Sequence, residues 1–192
     1  MSMMRRTLLV SFAFAGVLST AGAQAAPAGD KLVFIVRHAE KASATDPDPS
    51  LSEAGKERAV ALAAALRDAR VSGILVTARK RTAETAAPLA SALELTMHVV
   101  PFGASTPEHV AGVAAAVRAA KGAAVLVVGH SNTVPAIIAA LGGPRMPDLC
   151  DAAYANLYIV RLPVMGAPTL VRAQFGAADH AEAASCPGMT VR

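Results

Sequence analysis

Two histidines and two arginines of this chain sit where chemistry on a phosphate group would need them. Arg37 and His38 open the tetrapeptide Arg37-His38-Ala39-Glu40, directly after the apolar run Leu32 to Val36. Arg81 closes the basic cluster Arg79-Lys80-Arg81, after the apolar stretch Gly73 to Val76. His130 lies in Gly129-His130-Ser131-Asn132, after the apolar run Ala124 to Val128. Each group follows a strand-like segment, and in an open α/β sheet the carboxyl ends of strands are where ligands bind. A guanidinium fork matches phosphate oxygens, and imidazole is a competent nucleophile. A phosphate monoester repels an anionic attacker. Neutral imidazole avoids that repulsion, while arginines balance the charge that builds on the oxygens. A phosphohistidine would then divide hydrolysis into two easier steps.

Strand-like and helix-like segments alternate along the chain. After the first strand comes a polar, proline-rich loop, Ala42 to Ser50. Ser52 is expected to cap a helix running to about Ala69, with Ala59, Leu62, Ala63 and Leu66 on one face. The pattern continues with strand Gly73 to Val76, helix Lys80 to Leu93 and strand Leu95 to Val100. A helix capped by Thr106, with Pro107 at its first position, should run to Ala120. Strand Ala124 to Val128 and the short helix Val134 to Leu141 follow. Continuous apolar strands alternating with helices predict a three-layer α/β/α sandwich with a mostly parallel central sheet. Leu157 to Leu162 and Thr169 to Phe175 read as two more strands, as an edge hairpin or as separate additions. In a parallel sheet the loops holding Arg37-His38, Arg81 and His130 share one edge. The loop Pro101 to Pro107 also reaches that edge.

Composition narrows the class. The chain has 192 residues, of which 54% are apolar and 4% aromatic, so its core is aliphatic and it lacks rings for stacking sugars or single-stranded bases. Arg5 and Arg6, the apolar stretch Leu8 to Leu18 and the small-x-small sites Ala21-Gly22-Ala23 and Ala23-Gln24-Ala25 have the form of a signal peptide. Residues 1–25 are therefore expected to be removed, leaving 26–192 as one exported domain, periplasmic or secreted, with no stable membrane span. The formal net charge is +4, and Arg5 and Arg6 leave with the leader. The remaining balance is too small for a nucleic-acid partner without a clustered patch. Cys150 and Cys186 are a plausible disulfide in an oxidising compartment, worth about 3–4 kcal/mol in the loop-entropy picture.

The ordered motifs resemble the histidine phosphatase superfamily, the phosphoglycerate mutase-like branch 1 group. Arg37-His38-Ala39-Glu40 is similar to its Arg-His-Gly-Glu signature, with Ala39 in place of glycine. Leu51 to Ala59 is similar to its Leu-Thr-x-x-Gly-x-x-Gln-Ala segment, Thr77 to Thr85 to its Ser-Pro-x-x-Arg-Thr-x-x-Thr motif, and Val128-Gly129-His130 to its second histidine. The resemblance implies a metal-independent phosphatase without a cofactor, acting on a small phosphorylated substrate. His38 would be the nucleophile, held through its other ring nitrogen by a backbone carbonyl. Arg37, Arg81 and His130 would bind the phosphoryl group.

The proton donor for the leaving group is the open position. Glu108, at a helix start, and Glu40 compete for it, and each has a plain alternative, as a helix-start acid and as an orienting group. Ser131 and Asn132 either cap the next helix or line the pocket. His98, His109 and His180 read as structural or solvated. Arg79, Lys80 and Glu84 read as solvent-facing.

Rival readings fit fewer residues. The zinc deaminase signature fails because no Pro-Cys-x-x-Cys accompanies His38-Ala39-Glu40. Gly129-His130-Ser131-Asn132-Thr133 approaches a serine-hydrolase elbow, with Asp151 and His180 in triad order, but Thr133 replaces the final glycine. A mutase would rarely meet its cytosolic substrate after export. A catalytically inactive phosphate-binding module is the remaining alternative. The sequence does not indicate an oligomeric state.

Overall fold

A computed structural model of the protein describes residues 29–179. The elements are β1 (Lys31–Arg37), α1 (Glu53–Leu66), β2 (Gly73–Thr77), α2 (Lys80–Ala92), β3 (Met97–Val100), α3 (Thr106–Ala119), β4 (Ala124–Gly129), α4 (Thr133–Ala140), β5 (Asn156–Leu162) and β6 (Thr169–Gln174). The strands form one sheet in the order β3-β2-β4-β1-β5-β6. The pairs β2–β3, β2–β4 and β1–β4 are parallel, whereas β1–β5 and β5–β6 are antiparallel.

The central strands β1 and β4 are apolar on both faces because both faces are covered. Val33, Ile35, Val125 and Val127 pack with Val113 and Val117 of α3 and Ile137 and Ile138 of α4. On the opposite face Phe34, Val36, Leu126 and Val128 pack with Leu62 and Leu66 of α1 and Ala86 and Leu89 of α2. Each fully buried aliphatic side chain of this kind contributes about 1.5–3 kcal/mol. A one-residue slip of β1 would exchange both sets, so this packing fixes the register. It runs from Leu32 opposite Ala124 to Arg37 opposite Gly129. No described helix is long and apolar enough to cross a membrane.

Several boundaries differ from the sequence expectations. The α1 helix stops at Leu66, short of Ala69, and Arg70 has a positive φ of 54° just beyond it. Ser105, not Thr106, caps α3, its hydroxyl accepting from the Glu108 amide at 3.3 Å. The β3 strand begins at Met97, not Leu95, after Glu94 turns the chain with φ 53°. The tail resolves as a hairpin: β5 pairs with β1 and β6 with β5, so β6 forms the sheet edge. The leader, His180 and Cys186 lie outside the described residues, and with them the pairing with Cys150, which is itself not a free thiol.

Candidate active site

The chain leaves β1 toward one face of the sheet, to α1, and leaves β4 toward the other, to α4. A crevice therefore opens at the carboxyl ends of these adjacent strands, the switch point at which open α/β sheets bind ligands. The ladder extends into it, since the His38 amide donates to the Gly129 carbonyl at 2.9 Å. The cleft measures about 540 Å³ and brings together Arg37, His38, Arg81 and His130.

The two imidazoles meet edge to face with centroids 5.4 Å apart. His38 Nδ1 lies 2.8 Å from the Ala39 carbonyl, which can only accept. The proton therefore sits on Nδ1, and Nε2 keeps its lone pair. This is the carbonyl-held arrangement expected for a nucleophile. Burial dominates in pushing the His38 pKa down to about 3; Arg37, Arg81 and Lys41 push the same way, and the Ala39 bond opposes them. Burial, then His38 and Arg81, lowers His130 likewise to about 3. Both rings are neutral at physiological pH.

His130 is oriented by groups that sequence reading did not single out. Its Nε2 lies 3.0 Å from Thr77 Oγ1, and Thr77 Oγ1 lies 3.0 Å from Thr82 Oγ1. The Thr82 hydroxyl donates to backbone carbonyls, to Arg79 at 2.8 Å and Thr77 at 3.1 Å. Its one proton thus being used, Thr82 accepts from Thr77, and Thr77 accepts from His130 Nε2–H. The chain of hydroxyls leaves the Nδ1 lone pair facing Arg81 Nη2, which donates to it at 3.4 Å.

Arg37 is 3% exposed and is held by the Cys150 carbonyl at 2.8 Å and Asp151 Oδ1 at 2.9 Å, with Tyr154 4.3 Å beneath its guanidinium. The Nε atoms of Arg37 and Arg81 are buried without a partner among the described residues. Such donors cost about 1–3 kcal/mol each when unsatisfied. A buried thread also ties the first loop to α2: the Ala39 amide donates to Thr85 Oγ1 at 2.9 Å, and Thr85 donates to the Arg81 carbonyl at 2.6 Å.

The remaining sequence candidates are placed differently. Glu40 is turned from the cleft into a two-pronged bond with buried Arg58 Nε, at 2.8 and 3.0 Å. Arg58 also donates to the carbonyls of Phe175 and Ala177, so the pair locks the first loop to the tail. Glu108 is exposed, and its carboxylate accepts at 2.8 Å from the amide of Ala104, a residue that lines the cleft. Ser131 and Asn132 line the cleft; Asn132 holds the N-cap position of α4 without a side-chain cap bond, and the Thr133 hydroxyl accepts from the His130 amide at 2.9 Å. The partners of the site histidines are Ala39, Thr77 and Arg81, not Ser131.

Two residues read as solvent-facing, Arg79 and Glu84, have other environments, whereas His109 is structural as expected. Arg79 lines the cleft and stacks 5.4 Å over Phe102. Glu84 accepts from the Leu51 amide at 2.7 Å, anchoring the loop before α1. His109 is buried at the cleft wall, its Nδ1 donating to the Pro101 carbonyl at 2.8 Å. Lys41 and Asp151 complete the charged lining. Among the described residues no group of three or more His, Cys, Asp or Glu is placed to hold a metal ion.

The family model of the histidine phosphatase superfamily (branch 1) matches residues 33–102, the stretch holding Arg37, His38 and Arg81. No curated protein sequence matches the chain. Among solved structures, mycobacterial hydrolase 1 is 16% identical with a TM-score of 0.61, over 78% of this chain and 100% of its own. A mycobacterial glucosyl-3-phosphoglycerate phosphatase is 16% identical with a TM-score of 0.58, again over 78% of this chain and 100% of its own. The protein histidine phosphatase SixA, solved with tungstate, is 21% identical with a TM-score of 0.58, over 74% of this chain and 96% of its own. These likenesses establish a shared fold.

Proposed function

We propose that this chain, which carries the fold and the branch 1 signature of the histidine phosphatase superfamily, is an exported phosphomonoesterase working through phospho-His38. One observation carries the reading: a neutral imidazole, with its lone pair on Nε2, stands beside two arginines whose buried Nε donors lack acceptors. Export rests on the sequence of residues 1–25, outside the described residues.

The steps follow from these groups. Arg37 and Arg81 take the phosphoryl oxygens and orient the phosphorus toward His38 Nε2. The Nε2 lone pair forms the N–P bond as the P–O bond to the leaving group breaks. The departing oxygen keeps the electron pair. The Nδ1–H bond to Ala39 stabilises the imidazolium character that develops. Water then attacks phosphorus, the N–P bond breaks, and His38 returns to its neutral form. Glu40 is held by Arg58 and the Glu108 carboxylate bonds to the Ala104 amide, so an aryl phosphate, whose leaving group needs no strong donor, is the substrate of choice for a first assay.

The test is release of phosphate from an aryl phosphate in the presence of chelator, with vanadate as a competitive inhibitor. Loss of turnover in chelator would replace this mechanism with a metal-assisted one. Vanadate binding without any turnover would leave a phosphate-binding module. Labelling of Ser131 by a fluorophosphonate would favour a serine hydrolase.

The pH profile is part of the same expectation. Because burial holds His38 near 3 instead of 6.5, the free enzyme keeps its nucleophile neutral as the pH falls from 7 toward 4. After correction for substrate ionisation, kcat/KM should stay flat over that interval and fall only as the pH approaches 3. An enzyme limb centred near 6.5 would mean that His38 titrates as an ordinary imidazole.

The hydroxyl chain gives a third expectation. Thr77→Val keeps the shape of the side chain but removes the acceptor for His130 Nε2–H. It should lower kcat/KM for the aryl phosphate by about 10- to 100-fold, as loss of an orienting partner does elsewhere. Thr77→Ser should restore most of the rate. Equal rates for Thr77→Val and the unaltered protein would show that this chain does not set the histidine's orientation.

A further inference from the structure

Four cationic side chains line the cleft, Arg37, Lys41, Arg79 and Arg81, against a single carboxylate, Asp151, itself occupied by Arg37. Arg37 and Arg81 suffice to hold one phosphoryl group. Lys41 and Arg79 are half-buried and take part in no ion pair among the described residues. Arg79 is held against the wall by Phe102, with its guanidinium 5.4 Å from the ring. Two unpaired cations beside the reacting group fit a substrate with a second anionic group. The same cleft offers little to protonate a leaving oxygen: His38 and His130 are neutral, His109 gives its Nδ1 proton to the Pro101 carbonyl, Asp151 is an ion-paired carboxylate, and the carboxylates of Glu40 and Glu108 accept from Arg58 and the Ala104 amide. An alkoxide leaving group needs a proton from the protein, whereas a phosphate leaves as a stable anion at neutral pH.

We propose that the cleft takes a phosphoanhydride, with His38 receiving the terminal phosphoryl group and Lys41 and Arg79 holding the phosphate that departs. This deepens the phosphatase reading of the same site and rests on it. In the first step the N–P bond forms, the bridging P–O bond breaks, and its electron pair leaves on the departing phosphate. Water then cleaves the N–P bond, giving a second phosphate and releasing a proton. No further reactant is required. The extra cations stabilise the charge that accumulates on the departing group as the bond breaks.

The test compares kcat/KM for inorganic pyrophosphate, glycerol 3-phosphate and an aryl phosphate, all in chelator, using the full exported protein. Pyrophosphate should exceed glycerol 3-phosphate by at least about tenfold, a difference of about 1.4 kcal/mol in transition-state free energy. In the Lys41→Gln/Arg79→Gln double variant, the ratio of pyrophosphate to aryl phosphate kcat/KM should fall by at least about tenfold. The aryl phosphate reports independently on the folded state of that variant and on the phosphatase reading. Aryl turnover with no preference for pyrophosphate over the alkyl ester would overturn the anhydride proposal alone, as would a ratio unmoved in the double variant. No turnover of any of the three would remove both readings together.

Discussion

His38→Ala is expected to lower turnover of an aryl phosphate by about 10⁴-fold or more, the scale on which deleting a covalent nucleophile acts. His130 cannot take its place, since it presents its Nδ1 to Arg81 and its Nε2 is committed to Thr77. The ring is 3% exposed, so its removal also leaves a cavity, which the loss of packing should register as a lower melting temperature of a few degrees. His38→Asn separates the two effects by refilling part of the volume without restoring the nucleophile. Turnover of a substrate labelled with ³²P in its phosphoryl group, quenched in alkaline detergent where the acid-labile N–P bond survives, provides the direct measurement. A labelled protein band in the unaltered enzyme and none in either variant is the expected result. Full activity in His38→Ala would sink the mechanism.

The largest expected stability effect lies away from the reacting atoms. Gly55→Ala should destabilise the fold by about 2–4 kcal/mol. In an isolated helix the same change would stabilise by about 1 kcal/mol, because alanine is the better helix former. Here contact outweighs propensity. A Cβ at Gly55 would stand 2.3 Å from the Glu40 carbonyl oxygen and 3.1 Å from both the Glu40 nitrogen and Leu51 Cβ. That carbonyl also accepts from the Ser52 amide at 2.9 Å, so the displacement is passed to the cap of α1. It also strains the Glu40–Arg58 pair, whose guanidinium is 5% exposed. Thermal unfolding should show a midpoint lower by roughly 5–15 °C, with kcat reduced because Glu40 lies two residues from His38. An unchanged or higher midpoint would show that the loop yields freely to the extra methyl.

The apolar runs that became β1 and β4 were legible because continuous burial on both faces leaves a continuous apolar string. The residues immediately after those strings were legible for a related reason. A polar side chain at a strand's end is placed by the strand itself, and Arg37, His38 and His130 needed only the parallel pairing of β1 with β4 to meet. Boundaries were less legible where a short polar residue competed with its neighbour. Ser105 and Thr106 are both competent caps, and the backbone angles of Ser105, φ −153° and ψ 159°, decided between them.

The sequence by itself determined where Arg37, His38, Arg81 and His130 stand, because each lies in a local string whose spacing is set by one strand and one turn. Only the tertiary structure decided what surrounds them. Glu40 reaches Arg58 across 18 positions, Thr77 reaches His130 across 53, and Arg37 reaches Asp151 across 114. No periodicity in a chain encodes such pairs; they exist only once the sheet order has brought distant loops to one edge. That is why the sequence offered Glu40 and Glu108 as acids, whereas their bonds to Arg58 and to the Ala104 amide appear only in the fold. It is also why Lys41 and Arg79, indistinguishable from solvated surface charges along the chain, come to line the cleft with no ion-pair partner among the described residues.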